Sequence, residues 1–126
     1  MSLPAGTTPI AFVFTADRAL SRPFYRDVLG LPLLGEDDFA MAFDLGNGSL
    51  LRVTDMRGHT PSMHTVLGWR VADLDAAMTA LADKGVRFER YEGMGQDEAG
   101  VWSMGTVRIA WFLDPEGNNL SLTQFE

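Results

Sequence analysis

Histidine and cysteine are the first side chains to consider for catalysis or metal binding, and this chain of 126 residues has two histidines and no cysteine. The absence of cysteine excludes disulfides, thiolate ligands and a thiol nucleophile. His59 and His64 lie in the segment RGHTPSMHT, whose spacing and internal proline match no recognised pair of metal ligands. No Ser-His-Asp spacing, phosphate-binding loop or redox motif is visible. Both histidines are therefore predicted to be solvated or bonded to the backbone.

Polar and acidic residues cluster in a second segment, YEGMGQDEAGVW at 91–102. Its glycines predict a loop between two strands. Gln96, Asp97 and Glu98 could contact a ligand there or move a proton. The alternative is a solvated loop whose charges take no part in binding or chemistry.

A third segment, DPEGNNLSL at 114–122, combines an acidic residue with turn signals. Asp at the first, Pro at the second and Gly at the fourth position are typical of a type I turn. A calcium loop that began at Asp114 would need a glutamate at its twelfth position, where the chain has Phe125. The segment is therefore predicted to be a turn, with Ser121 in the strand that follows it.

Charge and hydropathy limit the possible partners. Acidic residues outnumber basic ones by 17 to 10, the net charge is −7, and the basic residues form no stripe. We therefore expect no nucleic acid partner. No apolar run approaches the roughly 18 residues of a membrane helix, so no membrane partner is expected. The first ten residues lack the basic and apolar regions of a signal peptide, which with the absence of cysteine predicts a cytoplasmic protein.

The elements that must position these residues occur twice along the chain. Residues 13–30, VFTADRALSRPFYRDVLG, and residues 69–85, WRVADLDAAMTALADKG, both run from a β-rich strand through Ala-Asp into a helix and a glycine stop. Farther on, DLGNGSLLRVT at 44–54 is similar to DPEGNNLSLT at 114–123. The chain is therefore predicted to contain two copies of a strand–helix–strand–hairpin unit.

The first helix is predicted around Pro23. Because proline is tolerated in a first turn, this helix should begin with Ser21 as its N-cap and end at Gly30. Its buried side should carry two pairs of residues spaced i,i+4, which are Phe24 with Val28 and Tyr25 with Leu29.

The second helix is predicted from a stripe of Leu74, Met78 and Leu81, with Asp73 or Asp75 as the N-cap and Gly85 as the stop. Asn47-Gly48 predicts a tight hairpin turn. Alternation and turn signals predict strands near 10–15, 31–35, 39–45, 49–55, 65–71, 86–91, 101–104, 107–113 and 119–124.

The order of these motifs resembles that of the vicinal oxygen chelate superfamily, which includes glyoxalase I, bleomycin-resistance proteins, extradiol dioxygenases and fosfomycin-resistance proteins. The matching stretches are DRALSRPFYRDVLGL, DLDAAMTALADKGV and DPEGNNLSL, and the resemblance covers residues 9–124. It implies an α+β fold in which two βαβββ modules form a cup-shaped mixed β-sheet cleft with the helices outside. The chain is then a single domain, 1–126, with modules at about 9–56 and about 64–124.

In metal-bearing members of this superfamily, the first and last strands of each module supply His, Gln or Glu ligands to a divalent ion. The resemblance places those positions at Ile10, Arg52, Val66 and Ser121. Isoleucine and valine have no donor atom, arginine is a cation, and serine is a weak neutral ligand. We therefore expect no metal site and no cofactor.

Side-chain alternation along the strands extends this set to the lining of the implied cleft. If Ile10 faces the cleft, Phe12 and Phe14 do too, while Ala11 and Val13 face the helix. The same reasoning from Val66 and Ser121 adds Gly68, Arg70 and Thr123, and turns Trp69 toward the helix. Trp102 and Trp111 lie on neighbouring strands, and the sequence leaves open which of them points inward.

Arg52 is the main candidate for binding, because an arginine among aromatic residues at an inward position needs an anionic partner or an exit to water. It either clamps a carboxylate or phosphate ligand with paired hydrogen bonds or forms an internal salt bridge. Arg70 has the same alternatives nearer a strand end. His64 precedes a strand that reaches the implied cleft and is predicted to be a polar group at its rim.

These observations favour a metal-independent protein of the glyoxalase/bleomycin-resistance type that binds a small molecule in an aromatic-lined cleft. The alternative is a metal-dependent lyase, isomerase or dioxygenase whose ligands lie elsewhere. A third possibility is a metal-free enzyme in which Arg52 polarises a carbonyl and an acidic loop residue moves a proton. No catalytic residue is identified. The expected partners are a small-molecule ligand and a second copy of the chain. The resemblance implies a homodimer, because members of the superfamily commonly form dimers.

Overall fold

The computed structural model describes residues 2–126, and within them the same order of elements occurs twice. The chain divides into two compact units, the first ending at His59 and the second beginning at Thr60. The first unit contains β1 (Ile10–Thr15), α1 (Arg18–Pro23), a π-helical turn (Phe24–Val28), β2 (Leu33–Glu36), β3 (Ala40–Gly46) and β4 (Ser49–Asp55). The second contains β5 (Thr65–Arg70), α2 (Leu74–Ala82), β6 (Trp102–Met104), β7 (Val107–Leu113) and β8 (Asn119–Phe125).

Each unit has one four-stranded mixed sheet of the same topology. The strand orders are β1-β4-β3-β2 and β5-β8-β7-β6. In each sheet the first strand is parallel to the last one, and the remaining pairs are antiparallel. The predicted duplication and the α+β fold class are therefore confirmed.

One face of each sheet carries the core of its unit. In the first unit this face includes Val13, Leu51 and Phe43, and the ring of Phe43 lies 5.9 Å from that of fully buried Tyr25 in the π-helical turn. In the second unit the buried apolar residues of the sheet and of α2 are Leu74, Met78, Ala110, Phe112, Leu120 and Leu122. Because neighbouring strand residues alternate between faces, the opposite face of each sheet is left without this apolar cover.

The prediction that Ser21 caps the first helix is wrong. Asp17 is the N-cap: its backbone is extended and its carboxylate accepts a hydrogen bond from the amide of Ala19 at 2.9 Å. Ser21 is buried inside α1, where its hydroxyl pairs with that of Thr15.

Pro23 ends α1 instead of beginning it. Its missing N–H cannot close the next α-helical hydrogen bond, and the chain continues with π-type bonds, such as the one from the amide of Leu29 to the carbonyl of Phe24 at 2.9 Å. Of the i,i+4 pairs predicted there, Phe24 and Tyr25 are buried, and Val28 and Leu29 are half-buried. Gly30 ends the helical segment as predicted, at a φ of 73°.

The second helix agrees with its prediction. Asp73 is the N-cap and accepts from the amide of Ala76, Leu74 and Met78 are buried, and Gly85 follows the helix at a φ of 93°. The first helical residue, Leu74, also donates its amide hydrogen to the side chain of Gln124 at 2.8 Å. The start of α2 is therefore attached to β8.

The strand predicted at 86–91 does not form. Only Phe88 makes an isolated bridge, to Phe112. The carbonyl of Glu89 and the amide of Tyr91 instead bond to the side chain of Gln96, at 2.9 Å and 2.6 Å. These backbone groups are therefore satisfied without a neighbouring strand.

Both predicted turns are present. Asn47 and Gly48 have φ values of 53° and 81°, as a type I′ hairpin requires. At 114–117, the amide of Gly117 donates to the carbonyl of Asp114, whose carboxylate accepts from the amides of Glu116 and Asn118. Among residues 2–126, no helix is long and apolar enough to cross a membrane.

Candidate functional site

The open face of the first sheet carries the aromatic residues predicted to line a binding site. Phe12 is the Cα partner of Arg52 on β4, and Arg52 is in turn the partner of Ala42 on β3. Paired residues of neighbouring strands share a face, so Phe12, Phe14 and Arg52 lie together. Phe12 is 56% exposed and Phe14 37%. This face therefore offers large apolar surfaces beside one cation.

Arg52 forms the internal salt bridge that was one of its two predicted roles. Its Nη2 donates to Oδ2 of Asp37 at 3.3 Å. The other oxygen of Asp37 accepts from the amides of Phe39 and Ala40 at 2.7 Å and 2.9 Å. These two amides, and then Arg52, hold the pKa of Asp37 below its usual value. Arg52 therefore faces an ionised carboxylate that the chain itself supplies.

The open face of the second sheet is organised in rows across the strands. Gly68, Ser121 and Trp111 are successive partners on β5, β8 and β7, and they share this face. The next row holds Arg70 and Thr123. Val66 is the extra residue of a β-bulge and has no partner on β8.

The same register settles the orientation of the two tryptophans. Trp102 pairs with Ile109, which lies two residues from Trp111 on β7. Both tryptophans are half-buried and lie on the face that Ser121 occupies. Arg70 lies on this face too, with its guanidinium carbon 5.3 Å from the ring centroid of Phe125.

Two residues of this face, Asn119 and Tyr91, were missed by sequence reasoning. Asn119 is 5% exposed, and its amide nitrogen donates to the hydroxyl of Tyr91 at 3.0 Å. Its oxygen accepts from the hydroxyl of Thr65 at 3.1 Å. The ring of Tyr91 lies 6.0 Å from that of Trp111, edge to face. The alternation that linked Ser121 to Thr123 could have found Asn119, but Tyr91 lies in an irregular segment that carries no such signal.

The histidines take different positions. His64 is exposed, and its Nδ1 is hydrogen-bonded to the hydroxyl of Ser62, so its observed contact is within the connecting segment. His59 is half-buried in the first unit, with its ring 5.4 Å from that of Phe14. Because Phe14 lies on the open face, His59 lies at the edge of that face.

The polar loop residues mainly build the loop. Gln96 makes three hydrogen bonds to backbone groups, including one from its amide nitrogen to the carbonyl of Gly100 at 2.6 Å. Asp97 accepts from the amides of Ala99 and Val101. Of the three candidate residues, Glu98 alone makes no hydrogen bond to a described residue of the loop, and it is exposed. Gln96 and Asp97 are therefore loop-forming residues.

The positions at which the resemblance implied metal ligands do not fit a metal ion. Ile10 and Val66 have no donor atom, Arg52 is a cation paired with Asp37, and Ser121 supplies one neutral oxygen. Within residues 2–126, no three or more His, Asp or Glu side chains are grouped so that they could hold an ion.

Each unit also has a surface depression among its described residues. One of about 430 Å³ lies where β1 and β4 end, and its walls include Arg18, Asp55 and Arg57. The other, of about 230 Å³, is formed by the loop residues Arg90 to Gln96. Arg18 is fully engaged, donating to Asp55 twice at 2.8 Å and to Glu36 at 3.1 Å. The first depression is therefore bordered by a structural ion pair.

Several solved structures share this fold. TnmS3, an antibiotic binding protein from Streptomyces sp. CB03234, is 22% identical, with a TM-score of 0.75 over 99% of this chain and 100% of that one. A superfamily member from Sphaerobacter thermophilus is 21% identical, with a TM-score of 0.71 over 94% and 97%. Oxidase ChaP-H2 is 20% identical, with a TM-score of 0.68 over 98% and 96%. No curated protein matches the chain.

The sequence itself carries the family signature. Residues 8–122 match the profile of the Glyoxalase/Bleomycin resistance protein/Dioxygenase superfamily. This range includes every strand of both sheets, with the last three residues of β8 beyond it. The chain therefore belongs to the Glyoxalase/Bleomycin resistance protein/Dioxygenase superfamily.

Proposed function

We propose that this chain is a metal-independent protein that binds a small molecule on the open, aromatic faces of its sheets. The observation that carries the proposal is the side-chain chemistry at Ile10, Arg52, Val66 and Ser121. These residues cannot supply the set of electron-pair donors that a divalent ion needs. They lie on or beside faces that expose large apolar side chains, which favours an organic ligand.

The exposed rings of the first unit support an apolar contact. Phe12 and Phe14 are 56% and 37% exposed, and Ile10 is 46% exposed on the same face. Covering apolar surface stabilises a complex by roughly 25 cal/mol per Å² removed from water. Contiguous apolar patches on a protein surface commonly mark binding sites.

Arg52 supports the preference for a ligand that also carries an anionic group. Its bond to Asp37 is long for a charged pair, at 3.3 Å, and the side chain of Asp37 is 52% exposed. The turn amides of Phe39 and Ala40 bond to the other oxygen of Asp37. A ligand carboxylate can therefore replace Asp37 at Arg52 without breaking the turn.

The relatives include both kinds of protein. TnmS3 is described as an antibiotic binding protein, which favours binding without turnover. ChaP-H2 is described as an oxidase, which favours the alternative of a metal-dependent dioxygenase, lyase or isomerase. The donor-poor positions of this chain support the first.

Metal content separates these two functions. The purified, tag-free protein should contain no stoichiometric transition metal after dialysis, by elemental analysis. One equivalent of a transition metal retained per chain would overturn the metal-independent proposal.

The proposed binding of an anionic group by Arg52 can be tested with 2-naphthoate, a flat aromatic carboxylate. Its binding is measured by titration with tryptophan fluorescence and calorimetry. Arg52→Ala should weaken its binding by about 1–3 kcal/mol, because a charged hydrogen bond is lost. Asp37→Asn should strengthen binding, since it removes the competing charge at Oδ2 and keeps Oδ1 for the turn. Arg87→Ala, at an exposed position, makes the same charge change as a control. Equal effects of Arg52→Ala and Arg87→Ala would remove Arg52 from the site.

A further inference from the structure

Ser121 carries a nearly buried hydroxyl that has no hydrogen bond to any described residue. The residue is 8% exposed. Among the described residues, every fully buried side-chain nitrogen or oxygen has a partner, so the hydroxyl of Ser121 must keep some access to the open face. A polar group in this position loses most of its hydration and gains no partner from the chain, which costs free energy. It is therefore placed to bond to something outside the chain.

Gly68 shows where this hydroxyl points. It is the Cα partner of Ser121 on β5 and is exposed. A Cβ atom at residue 68 would lie 2.5 Å from Oγ of Ser121. The hydroxyl therefore occupies the space above the sheet that a side chain on β5 would take, beside a strip of bare backbone. A Cβ atom at this position would therefore force the hydroxyl to move.

Trp111 completes the row on the other side of Ser121. Its ring is half-buried and is braced by Tyr91, which is held in turn by Asn119. Neighbouring strands are about 4.8 Å apart, so a flat ring on Trp111 brings its edge over Ser121 and Gly68. Arg70, one pair farther along β5, adds positive charge to this face.

We propose that Gly68, Ser121 and Trp111 form a subsite for the oxygen-bearing edge of a flat aromatic ligand, such as a phenol. The ring stacks on Trp111, and Gly68 lets the ring approach the sheet. The hydroxyl of Ser121 forms a hydrogen bond with the oxygen attached to the ring. Arg70 favours an oxygen that carries negative charge. This subsite rests on the function proposed above and gives it a ligand class.

The experiment compares 2-naphthol with naphthalene, which has the same rings and no hydroxyl. The wild-type protein should bind 2-naphthol about 2- to 10-fold more tightly, as one neutral hydrogen bond allows. Ser121→Ala should abolish this preference and leave the affinity for naphthalene unchanged. Ser103→Ala, at an exposed serine on edge strand β6, is the matched control and should keep the preference.

Two further measurements keep the test independent of folding. Ser121→Ala should not lower the melting temperature, because the lost hydroxyl has no partner in the chain. In nuclear magnetic resonance spectra, 2-naphthol should shift the backbone amide of Gly68 in the wild type. Gly68→Ala should weaken both probes, since its methyl group lifts the ring from the sheet.

The outcomes separate this subsite from the proposed function. A preference for 2-naphthol that persists in Ser121→Ala overturns the subsite, and so does equal binding of the two probes. In either case the binding function stands. If neither probe nor 2-naphthoate binds the wild-type protein, both proposals fail together.

Discussion

The two units place the same backbone row in the middle of each open face but fill it differently. In the first unit the row is Phe12, Arg52 and Ala42. In the second it is Gly68, Ser121 and Trp111. The large ring is on the first strand of the row in the first unit and on the third strand in the second, positions roughly 10 Å apart across a sheet. The central residue is a charged arginine in the first unit and a neutral serine in the second.

This difference teaches that the core and the open face of a duplicated sheet obey separate constraints. The core positions stay apolar in both units, with Leu51 and Val53 matched by Leu120 and Leu122. They must stay so to bury the helix. The open positions are free to diverge, and they have done so in both size and charge.

The helix starts differ in the same way. Asp17 and Asp73 cap α1 and α2, so Arg18 and Leu74 are equivalent first residues. Leu74 is fully buried, whereas Arg18 is bonded to Asp55 and Glu36 at the surface. The first residue of the helix is therefore held by packing in the second unit and by an ion-pair network in the first.

The largest expected effect comes from replacing these two residues. Leu74→Ala should lower the free energy of unfolding by about 2–5 kcal/mol, because it leaves a cavity. Arg18→Ala should cost about 1 kcal/mol, since water replaces part of the lost network. The three tryptophans lie in the second unit, so urea unfolding by fluorescence reports Leu74→Ala and circular dichroism reports both.

Arg26 provides the control for that comparison. Arg26 forms an ion pair with its neighbour Asp27, and both side chains are about half exposed, at 47% and 59%. Arg26→Ala should therefore change stability less than Arg18→Ala. If Arg18→Ala and Leu74→Ala lowered the free energy of unfolding equally, packing and ion pairing would stabilise the two helix starts to the same extent.

The rows give the next effect. Trp111→Ala should destabilise the protein by about 2 kcal/mol, since it removes a half-buried ring that packs on Tyr91. Phe12→Ala, on the equivalent row, should change stability by about 0.5 kcal/mol or less, because Phe12 is largely exposed. Thermal unfolding by circular dichroism measures both. A larger loss for Phe12→Ala would show that its ring is covered in solution.

The smallest effect should appear only as a pH dependence. Arg22 first, and then Arg18, hold the pKa of Glu36 at about 2 instead of 4.5. A carboxylate with a lowered pKa stabilises the folded state above its unfolded value and loses that contribution as pH falls. The stability difference between the wild type and Glu36→Gln should therefore be full at pH 7 and shrink from pH 4.5 toward 2.

The control for this pH window is Glu98→Gln in the exposed loop. If Glu36 and its arginines cause the effect, the difference in melting temperature between Glu98→Gln and the wild type should stay constant over the same pH range. Melting temperatures at half-unit steps of pH measure both variants. A constant gap for Glu36→Gln would contradict the role of the network.

The features that sequence predicted well are local. The stop at Gly85 and the turn at Asn47-Gly48 depend on a few adjacent residues and formed as expected, and the cap is Asp73, one of the two aspartates predicted for it. The first helix failed because Pro23 was taken as a start signal, when Asp17 offered a cap six residues earlier. A proline next to a π-helical turn has no simple sequence signature.

The features that sequence left open depend on register and on distant partners. Strand pairing was needed to place Trp102 and Trp111 on one face. The partner of Arg52 is Asp37, which comes within reach only through the β2–β3 turn. Alternation correctly grouped Phe12 with Phe14 and Gly68 with Arg70, because this rule needs only one strand.

Gln96 has a consequence for how this protein can change over evolution or in the laboratory. One side chain bonds to the backbone at residues 89, 91 and 100, so it closes the base of the segment that it spans. Residues 92–95, which include two glycines, form the tip of the loop, and Gln96 makes none of these hydrogen bonds to them. New sequence can therefore be inserted there while the sheet stays intact, and a longer insertion would start beside Tyr91. Ligand preference could in this way be altered by grafting a loop, with the scaffold left as it is.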